Sequence, residues 1–492
     1  MNLNPDNILL IGSILLIISI LAGKTSVKFG VPTLIFFLLI GILAGSEGIG
    51  GIHFDDAGLA QLIGITALNF ILFSGGLDTN WKRVKPILWR GVALSTLGVF
   101  ITALSVGLFV HYFFDFTLLE GLLLGSIVSA TDAAAVFSIL RGKGIRLKGS
   151  LGPVLELESG SNDPMAYFLT ISLTNIIKSG EIQPLHLAVS FLQEFIIGGV
   201  IGYGMGRISQ FLINKIKLNT EGLYPVLLMG LAVFTYAGTH FLGGNGFLAT
   251  YLCAIVLGNR SFIHKRTLTR FYEGQAWLWQ IILFLALGLL VFPSRIIPII
   301  GVGLLIAAFL IFIARPLGVF ISLVFFKTNL RSKLFISWVG LRGGIPIVFA
   351  TYPLLAGLEK ADMIFNLVFF ISVSSVLLQG TSLATIGKLL HVILPDSAKR
   401  KDGTNAMEYH RSHMQEIEIQ DSSPVTGKKI VDLDIESSIH IMSIKRKESY
   451  IQPVGSTRLL KNDTIYILVD DQKALEYAEN FFKGSDQKKS NP

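Results

Sequence analysis

Between Gly125 and Thr170 the chain reads GSIVSATDAAAVFSILRGKGIRLKGSLGPVLELESGSNDPMAYFLT, and two apolar segments there carry oxygen-bearing side chains. Thr131 and Asp132 lie in the first, and Glu158, Ser159, Asn162 and Asp163 lie in the second. On a helix, Ser159 and Asp163 fall four apart, as do Glu158 and Asn162, so the second segment presents two adjacent stripes of oxygen ligands. Pro164 has no N–H, which leaves the carbonyl of Gly160 without its usual helical donor and free to face an ion or water. Oxygen alone, with no Cys or His beside it, suits a hard cation rather than a transition metal. If these segments cross a bilayer, each carboxylate costs roughly 2.5–3.5 kcal/mol even on a lenient scale, so it must pair, face a cavity or carry an ion or proton. Three acids and an Asn exceed what helix packing needs.

The elements that must hold these residues are membrane helices. Of the 492 residues, 51% are hydrophobic and 15% charged, and the mean hydropathy is +0.63. A soluble domain carries about 25% charged residues, so composition alone makes this an integral membrane protein. Apolar stretches long enough to cross recur to about residue 390, and about thirteen are expected. Their centres fall near Leu15, Leu38, Leu68, Val99, Ile127, Phe168, Gly198, Leu231, Ala254, Leu283, Phe312, Val339 and Ser372.

Loop charges give the orientation. Loops after odd-numbered spans are basic, as at Lys82, Arg83 and Lys85, or Arg141, Lys143, Arg146 and Lys148. Loops after even-numbered spans carry Glu47, Asp55 and Asp56, or Asp115, or the mixed Glu359, Lys360 and Asp362. This alternation places the N-terminus outside and the C-terminus in the cytoplasm, which requires an odd number of spans. The net charge of +8 is spread over these loops, so the lipid bilayer is the expected partner and nucleic acid is not. Only Asp6 precedes the run from Ile8 to Ala22, and a secretory signal needs a basic start, so this run reads as a retained span. The single Cys253 lies in an apolar span and reads as packing. So does the run Gly198, Gly199, Gly202, Gly204 and Gly206, which lacks the lysine of a phosphate loop.

The twelfth span is unusual: Trp338-Val-Gly-Leu-Arg342-Gly-Gly-Ile-Pro346 puts an arginine, three glycines and a proline among apolar residues. Pro346 frees the carbonyl of Arg342 and the glycines weaken the helix, so an interruption is expected. Placed seven spans after the one carrying Asp132, it fits two inverted six-helix repeats joined by a linking helix. No repeat is detectable by residue identity, and nothing in SATDAAAVF forces that segment to unwind. His111, His186 and His240, near span ends, read as interfacial or packing residues. The acids Glu120 and Glu194 stay unassigned.

SATDAAAVFSIL followed by ESGSNDPMA resembles the paired signature of the NhaP-type monovalent cation:proton antiporters (family 1). Within that family the chain looks closest to the bacterial potassium/proton antiporters of the cell-volume-regulation type. The resemblance implies an NhaA-like fold with crossed discontinuous helices, a break beside Asp132, a homodimer and a bacterial cytoplasmic (inner) membrane. It also implies that Glu158 partners Arg342. Asn162 stands where electrogenic relatives have a second Asp, which implies electroneutral, one-for-one exchange. The expected fold is therefore an α-helical polytopic membrane protein followed by a small α+β cytoplasmic domain.

After Pro395 the composition changes. Residues 1–394 read as the transmembrane domain, 395–412 as a linker and 413–492 as a separate domain. Alternating runs at Glu416–Ile419, Ile439–Ile444 and Thr464–Val469 read as strands, and Gln472–Phe482 as a closing helix. SPVTGKKIVDLDI and PVGSTRLLKNDTIYILV resemble the C-terminal regulatory domain of potassium-conductance regulators, the TrkA-C type. That likeness implies a small-molecule regulator, with a nucleotide as one candidate, or a purely structural cap. The Gly-rich dinucleotide fingerprint is absent, which argues against NAD, and no other cofactor is expected.

Exchange needs one site that holds either a cation or a proton. Asp163 is the expected carrier, because burial favours the proton and a dehydrated cation displaces it. Thr131, Ser159 and Glu158 would add oxygens around a monovalent cation. Asp132, with Asn162 beside it, would steady the positive ends of the broken helices, and Arg342 would offset Glu158. The expected protein is not an enzyme but a secondary antiporter of K+ and H+, serving cation, pH and volume homeostasis, with Na+ as the alternative ion. A gated cation channel would need a carbonyl filter of the T-V-G-Y-G type, and an intramembrane aspartyl protease a G-x-G-D pattern; neither is present.

Overall fold

The computed structural model describes residues 5–29, 32–394, 414–420, 423–433, 435, 439–447, 449–469 and 472–483. The predicted linker, 395–412, lies outside them. The chain divides into two compact units, Met1–Ile393 and Leu394–Pro492.

The first unit is helical throughout: α1 Pro5–Phe29, α2 Thr33–Ala44, α3 Ala57–Asp78, α4 Trp81–Phe113, α5 Leu118–Ile127, α6 Ala133–Gly142, α7 Leu151–Ser179 and α8 Pro184–Lys215. There follow α9 Leu223–Phe241, α10 Gly246–Gly258, α11 Lys265–Leu289, α12 Pro293–Ser322, α13 Leu330–Trp338, α14 Gly344–Ala356 and α15 Ala361–Leu389. Six of these, α3, α4, α8, α9, α12 and α15, are long and apolar enough to cross a membrane by themselves. The shorter ones include two pairs, α5 with α6 and α13 with α14, each separated by a few extended residues around Asp132 or Arg342.

The helices form two bundles. α1–α3 pack with α8–α11, and α4–α7 pack with α12–α15. Contact between the bundles runs mainly through α14 against α3 and through α7 against α10. Small residues set the closest approaches. Gly125 lies over the Ala103 carbonyl of α4, and Gly41 faces Gly288, leaving no room for a Cβ at any of the three glycines. Gly198, Gly202 and Gly206, one per turn of α8, face Asn245, Ala249 and Cys253 along α10, so much of the glycine run is a packing surface. Cys253 is buried there.

α4 and α12 share an unusual build. Each begins with a four-residue helix, Trp81–Val84 or Pro293–Ile296, then a proline-containing 3-10 turn, Lys85–Ile87 or Ile297–Ile299. Each later contains one π-helical turn, Leu94–Gly98 or Leu310–Ala314. Each π-turn lies where α4 and α12 pack on each other.

The chain leaving α15 turns back on itself. His391 is left-handed (φ 57°), and Val392 N–H donates to the Gly387 carbonyl at 3.1 Å. Leu147 and Ile393 then pair as an antiparallel bridge, with Lys148 N–H donating to the Val392 carbonyl at 2.8 Å. Two left-handed glycines, Gly144 and Gly149, bracket the bridging residues on the loop between α6 and α7.

The second unit is a four-stranded antiparallel sheet of order β1-β4-β2-β3: β1 Met414–Glu418, β2 Ile439–Arg446, β3 Ser449–Ile451 and β4 Thr464–Val469. Helix α16, Gln472–Lys483, closes it, burying Ala478 and Phe482 with Ile417, Ile444, Ile465 and Ile467. Arg446 grips the buried Asp463 through Nε and Nη2 at 2.8 and 2.7 Å. That pairing lifts the guanidinium's pKa above its ordinary value.

Candidate functional site

Backbone and side chain together make the break between α5 and α6. Ser159 of α7 donates Oγ–H to the Thr131 carbonyl at 2.8 Å, and its oxygen accepts from Ala133 N–H at 2.9 Å. Asn162 Nδ2, one turn along, donates to Thr131 Oγ1 at 2.6 Å. Asp132 caps α6, accepting from Ala135 N–H at 3.0 Å. No glycine or proline occupies Val128–Asp132; hydrogen bonds from α7 replace those the helix loses.

The break between α13 and α14 is held in the same manner from α15. Ser375 Oγ accepts from Arg342 N–H at 3.0 Å, and Gln379 Nε2 donates to the Trp338 carbonyl at 2.8 Å. The two breaks meet where Asp132 N–H donates to the Leu341 carbonyl at 2.8 Å. Gly343 lies so close to the Asp132 carboxylate that a Cβ there would collide with Oδ2. One carboxylate therefore serves the N-terminal ends of both α6 and α14, where partial positive charge collects.

Arg342 sits at the opposite pole. It is fully buried, donates Nε–H to the Val128 carbonyl at 2.8 Å and Nη1–H to the Gly340 carbonyl. Those carbonyls end α5 and follow α13, so the cation meets the negative ends of both half-helices. The expected pairing with Glu158 is not what the structure contains. Glu158 Oε1 pairs instead with Arg315 Nη2 at 2.5 Å, and each side chain is only 2% exposed. Arg342 directs Nε and Nη1 to backbone carbonyls, while Arg315, just after the π-turn of α12, points across at α7. Sequence reasoning overlooked Arg315, although a guanidinium inside LLIAAFLIFIARPLGVF costs as much as the one at Arg342.

The two stripes of α7 thus do different things. Glu158 and Asn162 face the ion pair and the broken helix. Ser159 and Asp163 face a cavity of about 800 Å³, which Asp132 and Gly160 also line. The cavity runs to the exposed Asp78, Arg141 and Glu273, on the side of the basic loops. Asp163 closes its inner end. It is 1% exposed, and neither carboxylate oxygen has a hydrogen-bond partner among the described residues. Thr131 is buried directly behind, and Glu158 does not line the cavity.

Of the two unassigned acids, Glu120 completes the capping box of α5 and lies 3.5 Å from Lys360. Glu194 lies beside Asn245, whose Nδ2 is 3.4 Å from Oε2. Asn245 drew no attention in the sequence, because an Asn in GGNG looks like an ordinary turn residue.

Crossed half-helices stabilised by opposite charges, beside a buried carboxylate with no hydrogen-bond partner among the described residues, define an ion-coupled membrane transporter. Residues 13–389 match the sodium/hydrogen exchanger transmembrane family, and 414–482 match the TrkA-C domain. The chain belongs to the sodium/hydrogen exchanger family and is a cation:proton antiporter. It is 38% identical over 489 residues to the K(+)/H(+) antiporter NhaP2 of Shewanella baltica, covering 98% of this chain and 84% of that one. To the K(+)/H(+) antiporter NhaP of Alkalimonas amylolytica it is 39% identical over 465 residues, 94% of this chain and 80% of the other. The Na(+)/H(+) antiporter ApNhaP of Aphanothece halophytica is 25% identical over 504 residues, 97% and 93% of the two chains. The sodium proton antiporter MjNhaP1 of Methanocaldococcus jannaschii shares the fold, with a TM-score of 0.68 at 23% identity over 77% of this chain and 97% of its own.

Proposed function

We propose that this antiporter exchanges one K+ for one H+ at Asp163. The observation that carries the reading is the unpartnered state of that carboxylate. A buried carboxylate without a donor is stable only when neutralised, by a proton or by a cation, and the two exclude each other. Competition for a single group is then the coupling. Ser159, one turn earlier on α7, is a further oxygen on the cavity wall, with Thr131 hydrogen-bonded behind it. Glu158, held by Arg315, acts as scaffold rather than ligand in this reading, which revises its expected role. Asp132 and Arg342 compensate the ends of the crossed helices. Potassium is favoured by the relatives named K(+)/H(+) antiporters at 38–39% identity; sodium is the second reading, from the relative named for it at 25%.

The fifteen helical segments described in the membrane unit, two pairs of them read as halves of one crossing, support thirteen crossings, in this reading, of the bacterial inner membrane. The basic loops then set the N-terminus outside and the C-terminus in the cytoplasm, and the cavity opens to the cytoplasm. Inverted repeats gain support from the matched builds of α4 and α12. They gain more from the supports of the two breaks, Ser159 and Asn162 on α7 and Ser375 and Gln379 on α15. The protein works as a homodimer, and the C-terminal unit takes a small regulator, with a nucleotide first to be tried.

The test is purified protein in liposomes with an internal pH dye, given pulses of K+, Na+ or Li+. Potassium should move protons at the lowest concentration, and Asp163→Asn should remove the response while inserted protein persists. A response unchanged by Asp163→Asn would reject the carboxylate as carrier.

A further inference from the structure

Among the described residues the cavity lined by Asp163 opens on one side, so the proposed carrier needs a closure on the other that opens in the second half of a transport cycle. On α7 the residues beyond Asp163, starting with Pro164, lead away from the cavity. There the Pro164 carbonyl accepts from Asn245 Nδ2 at 3.2 Å. Asn245 is fully buried. It stands at the start of α10, in the bundle opposite to that of α7, so this hydrogen bond joins the two bundles one residue from the carrier.

Asn245 is itself fixed from three directions. Its Oδ1 caps α10 by accepting from Leu248 N–H at 3.1 Å. Its backbone N–H donates to the Glu194 carbonyl at 3.0 Å. Its Nδ2 also faces Glu194 Oε2 at 3.4 Å. On the cavity side of Asp163 the other bundle makes a weaker match: Tyr251 Oη, also on α10, donates to the Glu156 carbonyl at 3.4 Å. α10 therefore holds the carrier helix by backbone carbonyls on both sides of the site.

We propose that Asn245, braced by Glu194, is the latch of the closed outer route: a positioning residue whose hydrogen bond to Pro164 must break before Asp163 can face outward. This rests on the antiport reading above. Losing the latch favours the outward-facing state and leaves the carrier carboxylate intact. The consequence is sided. The apparent KM for the cation falls at the outer face and rises at the cytoplasmic face, because a conformation populated more often binds at lower concentration.

Two variants separate the latch from the helix cap. Asn245→Ser keeps a good capping oxygen but is too short to reach the Pro164 carbonyl; Asn245→Ala loses both. Potassium-driven proton flux would be measured in right-side-out and inside-out vesicles, together with thermal unfolding in detergent. Both variants should shift the two KM values in opposite directions, by about threefold or more, and only Asn245→Ala should lower the melting temperature. Glu194→Ala should shift KM in the same sense, and Glu194→Gln, which keeps an acceptor for Asn245, should restore wild-type values. Equal KM changes on both faces, or none in Asn245→Ser, would overturn the latch. Absence of exchange in the wild-type protein would instead defeat the antiport reading.

Discussion

At the residue scale, the ion pair between Glu158 and Arg315 separates structural charges from the proposed carrier, Asp163. Both partners are buried, so removing either strands the other in a low-dielectric interior, at a cost of about 3–5 kcal/mol. Arg315→Ala and Glu158→Ala should each lower thermal stability in detergent severely. The double replacement Glu158→Leu with Arg315→Met should recover part of the loss, because neither partner of the pair is left stranded. Asp163→Asn should do the reverse, leaving stability equal or higher while abolishing exchange. Asn162 supplies a third contrast. Its amide donates to Thr131 Oγ1, so in Asn162→Asp the hydroxyl must turn and donate instead. The fold should survive, and the added acid should make exchange respond to an imposed membrane potential where the parent does not.

At the element scale, the breaks in the paired half-helices had unequal visibility. The one at Arg342 could be read from its glycines and Pro346. The one at Asp132 could not, because its supports, Ser159 and Asn162, arrive from α7 across a turn of sequence that no local pattern records. Asp132, Ser159 and Asp163 were legible because charge and oxygen in apolar sequence demand a reason. Asn245 was not, since an uncharged residue in a glycine turn makes no such demand, and the pairing of Glu158 depended on side-chain reach that spacing does not encode. Gly343 offers the sharpest test of the crossing. Gly343→Ala would force its Cβ into the Asp132 carboxylate, so exchange should fall at least tenfold even where protein is inserted and monodisperse. A milder test lies outside the spans. Glu47 accepts from the backbone N–H of Ser294 at 2.8 Å and from its hydroxyl, capping the start of α12, and these bonds hold its carboxyl below the usual 4.5. Because its folded value is depressed, its stabilisation is full above the ordinary carboxylate range and is lost as pH falls through the folded value. The protection factor of the Ser294 amide, exchange being corrected for its intrinsic pH dependence, should therefore fall on acidification below pH 4.5, and Glu47→Gln should remove that fall.

At the scale of the whole molecule, the division into a membrane unit and a small sheet unit followed from composition, and three of the four strands from alternation. β3 is only three residues, Ser449–Ile451, too short for alternation to register, and it exists through pairing with β2. The boundary between the units is less simple than the end of α15. Leu147 and Ile393 are stitched together beyond it, on a loop whose far ends are the helices carrying Asp132 and Asp163. A tug on the chain past Ile393 is thus shared between that loop, with its two glycine swivels, and the last turn of α15, which holds Val392 through the Gly387 carbonyl. A protein cut after Leu394 should keep Lys148 protected from deuterium, whereas one cut after Leu389 should lose that protection; the segment that ends the membrane unit is also a handle on the loop between α6 and α7.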